Sequence, residues 1–218
     1  MTESRWVSEL HWRRTGKQSR SERTQEALLD AAEALILEKG TEATSIADIA
    51  SRAGYSIGSV YHHFKDKKAL YFALFRRMTD AYEALNRQAS DPALWEGASI
   101  RDLLHGYIEI TLATARESAA AKAAVSAVIA DHPELVAHYA EIQRETRRLL
   151  LEFVLARRDE IGRTDAAAAA AFVIDQLAAM LRARLDPAQS GAALQPADDR
   201  AFVENAVRMA TGFLELKS

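Results

Sequence analysis

Residues 44–70, TSIADIASRAGYSIGSVYHHFKDKKAL, decide the fold of this 218-residue chain, because their pattern predicts two short helices joined by a tight turn. Ser45 is followed three residues later by Asp48, the spacing of a capping box at a helix start. Gly54 ends the run after about two and a half turns. Between these residues, apolar side chains recur at helical spacing: Ile46, Ile49, Ala50 and Ala53. A short amphipathic helix that stops at a glycine is therefore predicted.

The second half of the stretch predicts another short helix, capped by Ser56, with Val60 and Phe64 inward. Glycine inside a helix costs about 1 kcal/mol relative to alanine, so Gly58 indicates a backbone that closely approaches another surface. Two helices and a glycine turn are typical of a helix-turn-helix, whose second helix enters the DNA major groove with its N-terminal residues foremost. The outward positions are Gly58, Ser59 and His62, flanked by Tyr61 and His63.

The adjacent His62 and His63 have other interpretations. Helical metal sites use residues three or four apart, whereas neighbours diverge by about 100°, so this pair is poorly placed to share an ion. Alternatively, Tyr61 and His63 are half-buried packing residues of an ordinary bundle. As DNA contacts, the imidazole N–H and the phenol would donate to phosphate oxygens.

Helical patterns extend on both sides of the stretch. One helix is predicted over 21–39, ending at Gly40, and Asp66 caps a fourth helix with Leu70, Leu74 and Met78 inward. Long amphipathic helices follow at about 99–118, 120–131, 134–158, 165–185 and 199–216, and no convincing strand is found. The predicted fold class is all-α, an N-terminal helix-turn-helix three-helix bundle followed by a larger helical C-terminal domain.

Composition excludes several classes of protein. The chain has no cysteine, which excludes thiolate zinc sites, iron–sulfur clusters and cysteine nucleophiles. No nucleophile–base pair, phosphate-binding glycine loop or metal cluster indicates an enzyme, and neither a cofactor nor a metal is predicted. The N-terminus lacks the apolar core of a signal peptide, and no run of about 18 apolar residues predicts a membrane span. We expect a cytoplasmic protein with no membrane partner.

Charge is distributed unevenly along the chain. Residues 1–77 carry 13 Lys and Arg against 10 Asp and Glu, whereas residues 78–218 carry 15 against 21. A basic head therefore precedes an acidic body. Within residues 1–20, an arm that follows the minor groove or the phosphates is predicted, the alternative being a solvated tail; its cations are Arg13, Arg14, Lys17 and Arg20.

The order of residues in 44–70 closely resembles the N-terminal DNA-binding domain of the tetracycline-repressor (TetR) family. The shared pattern is a threonine, IA…AG, a serine, a small residue, an aliphatic residue, the run YHHF and a lysine-containing helix start. The likeness covers about residues 21–72; beyond them, only length, helical character and order are similar. It implies a DNA-binding domain over 21–72 and a ligand-binding and dimerisation domain over 73–218.

The resemblance also implies which residues contact DNA. Contacts to the DNA backbone are implied for Thr44, Ser45, Tyr61, His62 and Lys67. Ser56, Ile57 and Ser59 would help set base preference, and Gly58 between them is a DNA-binding candidate because it allows close approach. Two positions depart from the family pattern: Tyr55 replaces a small aliphatic residue and is expected to enlarge the core, and Ile57 replaces a polar or basic residue. An apolar side chain at position 57 suits a thymine methyl group.

For the C-terminal domain, the resemblance implies a ligand cavity and a homodimer through the last two helices. From the residues alone, those two helices pair equally well with a second copy or within one core. His105 and Glu109, four apart, fit an exposed hydrogen-bonded pair better than a metal site. Residues that fit either a cavity wall or core packing are Tyr107, Thr111, Val125, Ile129, Tyr139, Gln143, Phe172 and Gln176.

The resulting prediction is a homodimeric, sequence-specific transcriptional repressor that an unidentified small-molecule effector releases from its double-stranded DNA operator. Release would follow if the effector binds better to a conformation in which the two recognition helices have the wrong separation. One alternative is a helical small-molecule-binding protein or enzyme with a vestigial DNA-binding bundle. Another is an activator or chromosome-organising protein that binds DNA without a ligand.

Overall fold

The computed structural model describes residues 19–126, 133–185 and 198–217, and these ranges confirm the predicted all-α class. Within them there is no strand, only an isolated antiparallel bridge between Ile161 and Leu216. Short 3₁₀ turns lie at Pro92–Trp95 and Arg158–Glu160. The α-helices of the described ranges are α1 Arg20–Ala43, α2 Ile46–Ala53, α3 Ile57–His63, α4 Lys67–Ala89, α5 Ile100–Glu117, α6 Ala119–Ser126, α7 Pro133–Leu155, α8 Ala166–Leu185 and α9 Asp199–Phe213.

The chain forms two compact units that alternate along the sequence. The N-terminal unit comprises the described residues of 19–84 and 117–142, and the C-terminal unit those of 85–116 and 143–217. The boundary expected after residue 72 falls inside α4, which continues to Ala89. Residues 117–126 and 133–142 lie in the part of the chain expected to bind ligand, yet they fold in the same unit as α1, α2 and α3.

The core of the N-terminal unit is built from the apolar stripes that the sequence predicts. Leu28, Ile49, Val60 and Leu70, one from each of the first four helices, are completely buried. Burial of such a side chain stabilises the fold by about 1.5–3 kcal/mol. Helix α6 comes from a distant part of the sequence and packs against α1. Its small side chains complete the same core: Ala120, Ala121 and Ala124.

Two glycines break the helical backbone at the positions where the sequence predicts helix ends. Gly40 interrupts α1 with φ 80° and ψ 169°, a conformation that only glycine adopts without strain. Gly54 ends α2 with φ 75° and ψ 28°, and its N–H donates to the carbonyls of Ala50 and Ser51. The predicted capping box that starts α2 at Ser45 is also present. These features fix the length of α2 and the turn that leads into α3.

Backbone hydrogen bonds anchor the last residues of the chain within the C-terminal unit. The N–H of Gly162 donates to the carbonyl of Glu215 at 3.0 Å, and the N–H of Lys217 donates to the carbonyl of Glu160 at 2.8 Å. A Cβ atom added at Gly162 would lie only 2.5 Å from that Glu215 carbonyl oxygen. The close approach of the two backbones therefore requires glycine.

We expect Gly162→Ala to lower the free energy of unfolding by about 2 kcal/mol, because the added methyl group must displace backbone atoms. Gly212→Ala is the matched control, since a Cβ atom there meets nothing within 4 Å and alanine favours a helix over glycine. Urea unfolding measures both changes. A Gly162→Ala variant as stable as wild type would contradict the close backbone approach.

Candidate nucleic-acid interface

Helix α3 presents one exposed face while its opposite face is locked into the core. Val60 is completely buried and Phe64 nearly so, as the helical spacing predicts. On the other side, Ile57 is 49% exposed, Tyr61 is 55% exposed, and Gly58 and His62 are exposed as well. We call the set Ile57, Gly58, Tyr61 and His62 the outer face of α3. Its members form two adjacent rows spaced i, i+4, which is a surface that a groove can receive.

Gly58 has no packing role that demands glycine. A Cβ atom built there would meet only the Ser56 hydroxyl, at an ordinary 3.7 Å. Its backbone is helical, so alanine fits the conformation and favours it by about 1 kcal/mol. Nothing in the described residues therefore explains a glycine at this position. This supports the interpretation that another surface approaches α3 at Gly58.

The serines predicted to meet DNA also cap the two helices. Ser56 accepts a hydrogen bond from the N–H of Ser59 at 3.1 Å, and the two hydroxyls lie 3.0 Å apart. Ser45 caps α2, accepting from the N–H of Asp48 at 3.1 Å. Hydrogen bonds from Lys39 and Ser45 lower the pKa of the Asp48 carboxyl to about 2. The exposed serines thus stand at the N-terminal ends of α2 and α3, where a helix-turn-helix meets DNA.

Two other residues that were predicted to contact DNA, Thr44 and Lys67, form hydrogen bonds within the chain. Thr44 is completely buried, and its hydroxyl donates to the carbonyl of Gly40 at 2.8 Å. The ammonium of Lys67 donates to the carbonyl of Thr41 at 2.8 Å, and the Tyr71 hydroxyl donates to the same oxygen at 2.9 Å. Thr44 and Lys67 therefore stabilise the turn after Gly40, and the Thr44 side chain has no exposed surface for a DNA contact.

Tyr55 corrects a further expectation, since it does not enlarge the core. The side chain is 38% exposed, and its hydroxyl oxygen lies 3.5 Å from the Thr24 hydroxyl oxygen on α1. Its backbone N–H donates to the carbonyl of Ala50 at 2.9 Å, which holds the turn closed. Tyr55 therefore extends from the turn of the helix-turn-helix towards the start of α1.

Arg77 on α4 is a residue that motif reasoning missed. Its guanidinium donates to Glu26 and Asp30 of α1, both at 2.8 Å, and pairs with Glu33 of α1 at 2.8 Å. Burial alone would lower the pKa of Arg77, but the bonds to Glu33 and Glu26 outweigh burial and raise it. We call this cluster the Arg77 clamp. It ties α4 to the helix against which the helix-turn-helix packs.

The two histidines are not arranged as a metal site. The rings of His62 and His63 meet edge to face with centroids 5.2 Å apart. Nowhere in the described ranges do three or more His, Cys, Asp or Glu side chains form a group that could hold an ion. His105 and Glu109 form the expected pair, with Nδ1 3.1 Å from the carboxylate. On α3, His62 is thus exposed and available to an external acceptor.

Six of the eight residues predicted to line a ligand cavity have described side chains, and their surroundings differ. Ile129 and the side chain of Val125 lie outside the described residues. Tyr107 is half-buried, burial raises the pKa of its phenol, and its carbonyl accepts from the Thr111 hydroxyl at 2.7 Å. Gln143 and Gln176 are exposed, which is unlike the wall of an enclosed cavity. Two open depressions of the C-terminal unit, of about 450 and 430 Å³, are lined by other residues.

Tyr139 and Phe172 contact aromatic neighbours instead. Tyr139 packs in the N-terminal unit, with ring centroids 6.3 Å from Phe75 and 6.1 Å from Tyr82. Phe172 on α8 is 50% exposed and lies 5.1 Å from the ring of Phe213 on α9. Tyr139 therefore belongs with the helices that carry the outer face of α3, and Phe172 belongs to a surface shared by α8 and α9.

Helix α8 is long and apolar enough to cross a membrane by length and composition. Core helices of water-soluble proteins meet the same criterion. Its buried residues pack in the core of the C-terminal unit, partly against α9; they are Ala166, Ala169, Ala170, Val173, Ile174, Leu177 and Leu181.

Comparison with known families gives a match over the helix-turn-helix. Residues 28–74 match the family described as bacterial regulatory proteins, tetR family. The matched range includes all of α2 and α3, and therefore every residue of the outer face of α3.

Curated proteins are similar to this chain over the same region. The transposon Tn10 TetC protein of Escherichia coli is 42% identical over 62 residues, covering 27% of this chain and 32% of that protein. The HTH-type transcriptional repressor KstR2 of Rhodococcus jostii is 43% identical over 53 residues, covering 24% and 26%. The HTH-type transcriptional regulator AcrR of Shigella flexneri is 29% identical over 133 residues, covering 61% and 60%. The chain therefore spans less than two thirds of the length of each of these relatives.

Solved structures resemble the chain over most of its length. The ketosteroid transcriptional regulator KstR2 of Mycobacterium tuberculosis aligns with a TM-score of 0.60 at 21% identity, covering 94% of this chain and 100% of that one. A bacterial regulatory protein in the tetR family from Rhodococcus RHA1 also gives 0.60, at 20% identity, covering 92% and 100%. At these identities the likeness establishes the fold.

Proposed function

We propose, from the premise that this chain belongs to the TetR family of bacterial regulatory proteins, that it is a sequence-specific DNA-binding repressor of transcription. The observation that carries the proposal is the outer face of α3, which is exposed while Val60 and Phe64 fix the helix from behind. Tyr61 and His62 supply donors to phosphate oxygens. Ile57 supplies an apolar group suited to a thymine methyl, and Gly58 allows close approach.

Repression is proposed for two reasons. KstR2 of Rhodococcus jostii, similar over 53 residues of this chain, is named a transcriptional repressor. A protein whose recognition helix occupies the major groove also covers the DNA that a polymerase must use. The proposed site of action is the cytoplasm, where the operator lies.

We further propose that an effector releases the protein from its operator. Support comes from residues 117–126 and 133–142, which share a compact unit with the helix-turn-helix. Within this unit Tyr139 packs on Phe75 and Tyr82, and the Tyr82 hydroxyl lies 3.2 Å from the Ser118 hydroxyl. A ligand that shifts α6 or the start of α7 would disturb the core that positions α3. Ligand and operator would then weaken each other's binding.

A homodimer through α8 and α9 is proposed as the form that binds the operator. Phe172, Met209 and Phe213 are large apolar side chains left exposed on these two helices. The guanidinium of Arg163 lies 4.7 Å from the ring centroid of Phe213, so the patch has a polar rim. A two-fold pair would present two α3 helices to half-sites about 34 Å apart, or at a separation set by the operator.

Selection of bound duplexes from a random DNA pool at physiological salt tests the proposed function. We expect wild type to enrich a palindrome, because a two-fold dimer reads the same sequence twice. The variant Tyr61→Ala, His62→Ala should enrich nothing, because it removes the donors of the outer face of α3. Gel filtration and thermal unfolding of the variant show whether it is folded and dimeric.

Two outcomes would contradict the proposal. Equal enrichment by wild type and by the folded double variant would remove α3 as the DNA-reading helix. No enrichment by wild type, with or without cell extract as a source of ligand, would favour the small-molecule-binding protein with a vestigial DNA-binding bundle.

A further inference from the structure

Tyr55 occupies a place that joins the DNA-facing end of α3 to the start of α1. It directly precedes Ser56, the residue that caps α3, so their Cα atoms are about 3.8 Å apart. At its other end, the hydroxyl oxygen lies 3.5 Å from that of Thr24. A single tyrosine side chain therefore spans the distance between the N-terminal end of α3 and the second turn of α1.

The Tyr55 hydroxyl is available as a donor. The Thr24 hydroxyl donates to the carbonyl of Arg20 at 3.1 Å, so its proton is already used. The 3.5 Å between the Tyr55 and Thr24 oxygens exceeds the usual range of about 2.5–3.0 Å for such a bond. With 38% of the side chain exposed, Tyr55 can turn its O–H towards an acceptor in solvent without breaking a strong internal bond.

The first turn of α1, which precedes Thr24, carries two arginines. Arg20, predicted as part of an N-terminal arm, is instead the first residue of α1, which Ser19 caps. Arg20 and Arg23 are both exposed in the first turn. The same turn holds one acid, Glu22, whose carboxylate accepts from the Ser19 N–H at 2.7 Å in the capping box. Further along α1, Glu26, Asp30 and Glu33 are bound in the Arg77 clamp. Two guanidiniums against one carboxylate give this turn a net positive charge, and the Tyr55 phenol lies one turn further along α1.

The geometry points to a DNA phosphate as the acceptor. The N-terminal end of a recognition helix lies in a major groove about 12 Å wide, which leaves the bordering phosphates within a few ångströms of residues just before that helix. We propose that Tyr55, Arg20 and Arg23 form a second phosphate contact, which we call the α1 contact, beyond the helix-turn-helix itself. The proposal rests on the proposed function, because it presupposes that α3 enters the groove.

Three single variants test the α1 contact: Tyr55→Phe, Arg23→Gln and, as a control, Arg101→Gln, an exposed arginine on α5. Fluorescence anisotropy would give the affinity of each full-length protein for the selected operator and for a random duplex across a range of salt concentrations. Thermal unfolding would show that all three variants retain the fold.

We expect two distinct signatures. Arg23→Gln should weaken binding to both duplexes by a similar factor and reduce the salt slope by about 1, because one phosphate neutralisation is lost. Tyr55→Phe should weaken both about tenfold with an unchanged slope, because the phenol is neutral and a hydrogen bond to a charged acceptor is lost. Arg101→Gln should match wild type.

The outcomes separate this proposal from the proposed function. If wild type binds duplexes while Tyr55→Phe and Arg23→Gln both behave like Arg101→Gln, the α1 contact is wrong and the proposed function stands. If wild type binds neither duplex at any salt concentration, both proposals are wrong.

Discussion

Arg77→Met is expected to lower the free energy of unfolding by about 2–3 kcal/mol. The Arg77 side chain is only 24% exposed, and its guanidinium pairs with Glu26, Asp30 and Glu33. Without it, three carboxylates at i, i+4 and i+7 on α1 repel one another, and Glu33 is left mostly buried beside methionine. Breaking a fully buried pair costs about 3–5 kcal/mol, and we reduce that figure because Asp30 is largely in solvent. Urea unfolding at neutral pH measures the loss.

Arg148→Met is the matched control for the Arg77 clamp. Arg148 also holds two carboxylates, Glu145 and Glu152, but its side chain is 57% exposed. Its removal should change stability far less than removal of Arg77. Adding Glu33→Gln to Arg77→Met should restore part of the lost stability, since the buried charge is removed. Equal effects of the two arginine variants would mean that the clamp is an ordinary surface ion pair.

Gly58→Ala is expected to change stability and DNA affinity in opposite directions. Alanine should raise the free energy of unfolding by up to about 1 kcal/mol, since it favours the helix and meets only the Ser56 hydroxyl at 3.7 Å. The same methyl group would stand between α3 and the groove floor. If the methyl group removes one or two direct contacts of about 1–3 kcal/mol each, the operator complex should be weaker by about tenfold to hundredfold or more.

The comparison variant for Gly58 is Ser51→Ala, at an exposed position late in α2. It also introduces alanine into a helix, with a smaller gain in stability, and should leave operator affinity unchanged. Thermal unfolding and anisotropy with the selected operator give both quantities for each variant. A stabilised Gly58→Ala protein that binds the operator as tightly as wild type would show that the α3 backbone does not approach DNA closely.

Local patterns in the sequence were enough to predict the helix-turn-helix. The capping box at Ser45, the stop at Gly54 and the inward pair Val60 and Phe64 depend on residues within a few positions of one another, and all are confirmed. The outward position of Gly58 follows from the same geometry. The DNA sequence that the outer face of α3 is proposed to read is a different matter, because it depends on a partner outside the chain.

Side-chain roles that depend on distant residues were not predicted. Arg77 meets Glu26 and Asp30, which are 51 and 47 positions away. The spacing of Glu26, Asp30 and Glu33 along α1 could have predicted a basic partner, because acidic side chains next to a buried apolar stripe need a nearby counterion. The turn at Gly40 places the Gly40 carbonyl within reach of the Thr44 hydroxyl, and the Thr44 side chain is buried as a result. The resemblance implied that Thr44 contacts the DNA backbone, and no local pattern in the sequence indicated that its hydroxyl would bond to the chain itself.

The cavity residues were the least predictable part. Aromatic and neutral polar side chains on inward stripes suit a cavity wall, a core and a subunit interface equally well. Tyr139 packs in the N-terminal unit, and Phe172 lies exposed beside Phe213. Only the packing of whole helices distinguishes these cases, and single-residue chemistry does not encode it.

The alternation of the two units along the sequence also sets an order of events on the ribosome. Helix α1 emerges early, but the alanines of α6 and Leu135, which complete its core, are made much later. Roughly sixty residues separate the end of the first segment of the N-terminal unit from the end of its second, and at about 5–20 residues per second their synthesis takes several seconds. Throughout that interval the nascent chain carries an uncovered apolar surface on α1. Helix α3 is thus fully supported only after well over half of the protein has been translated.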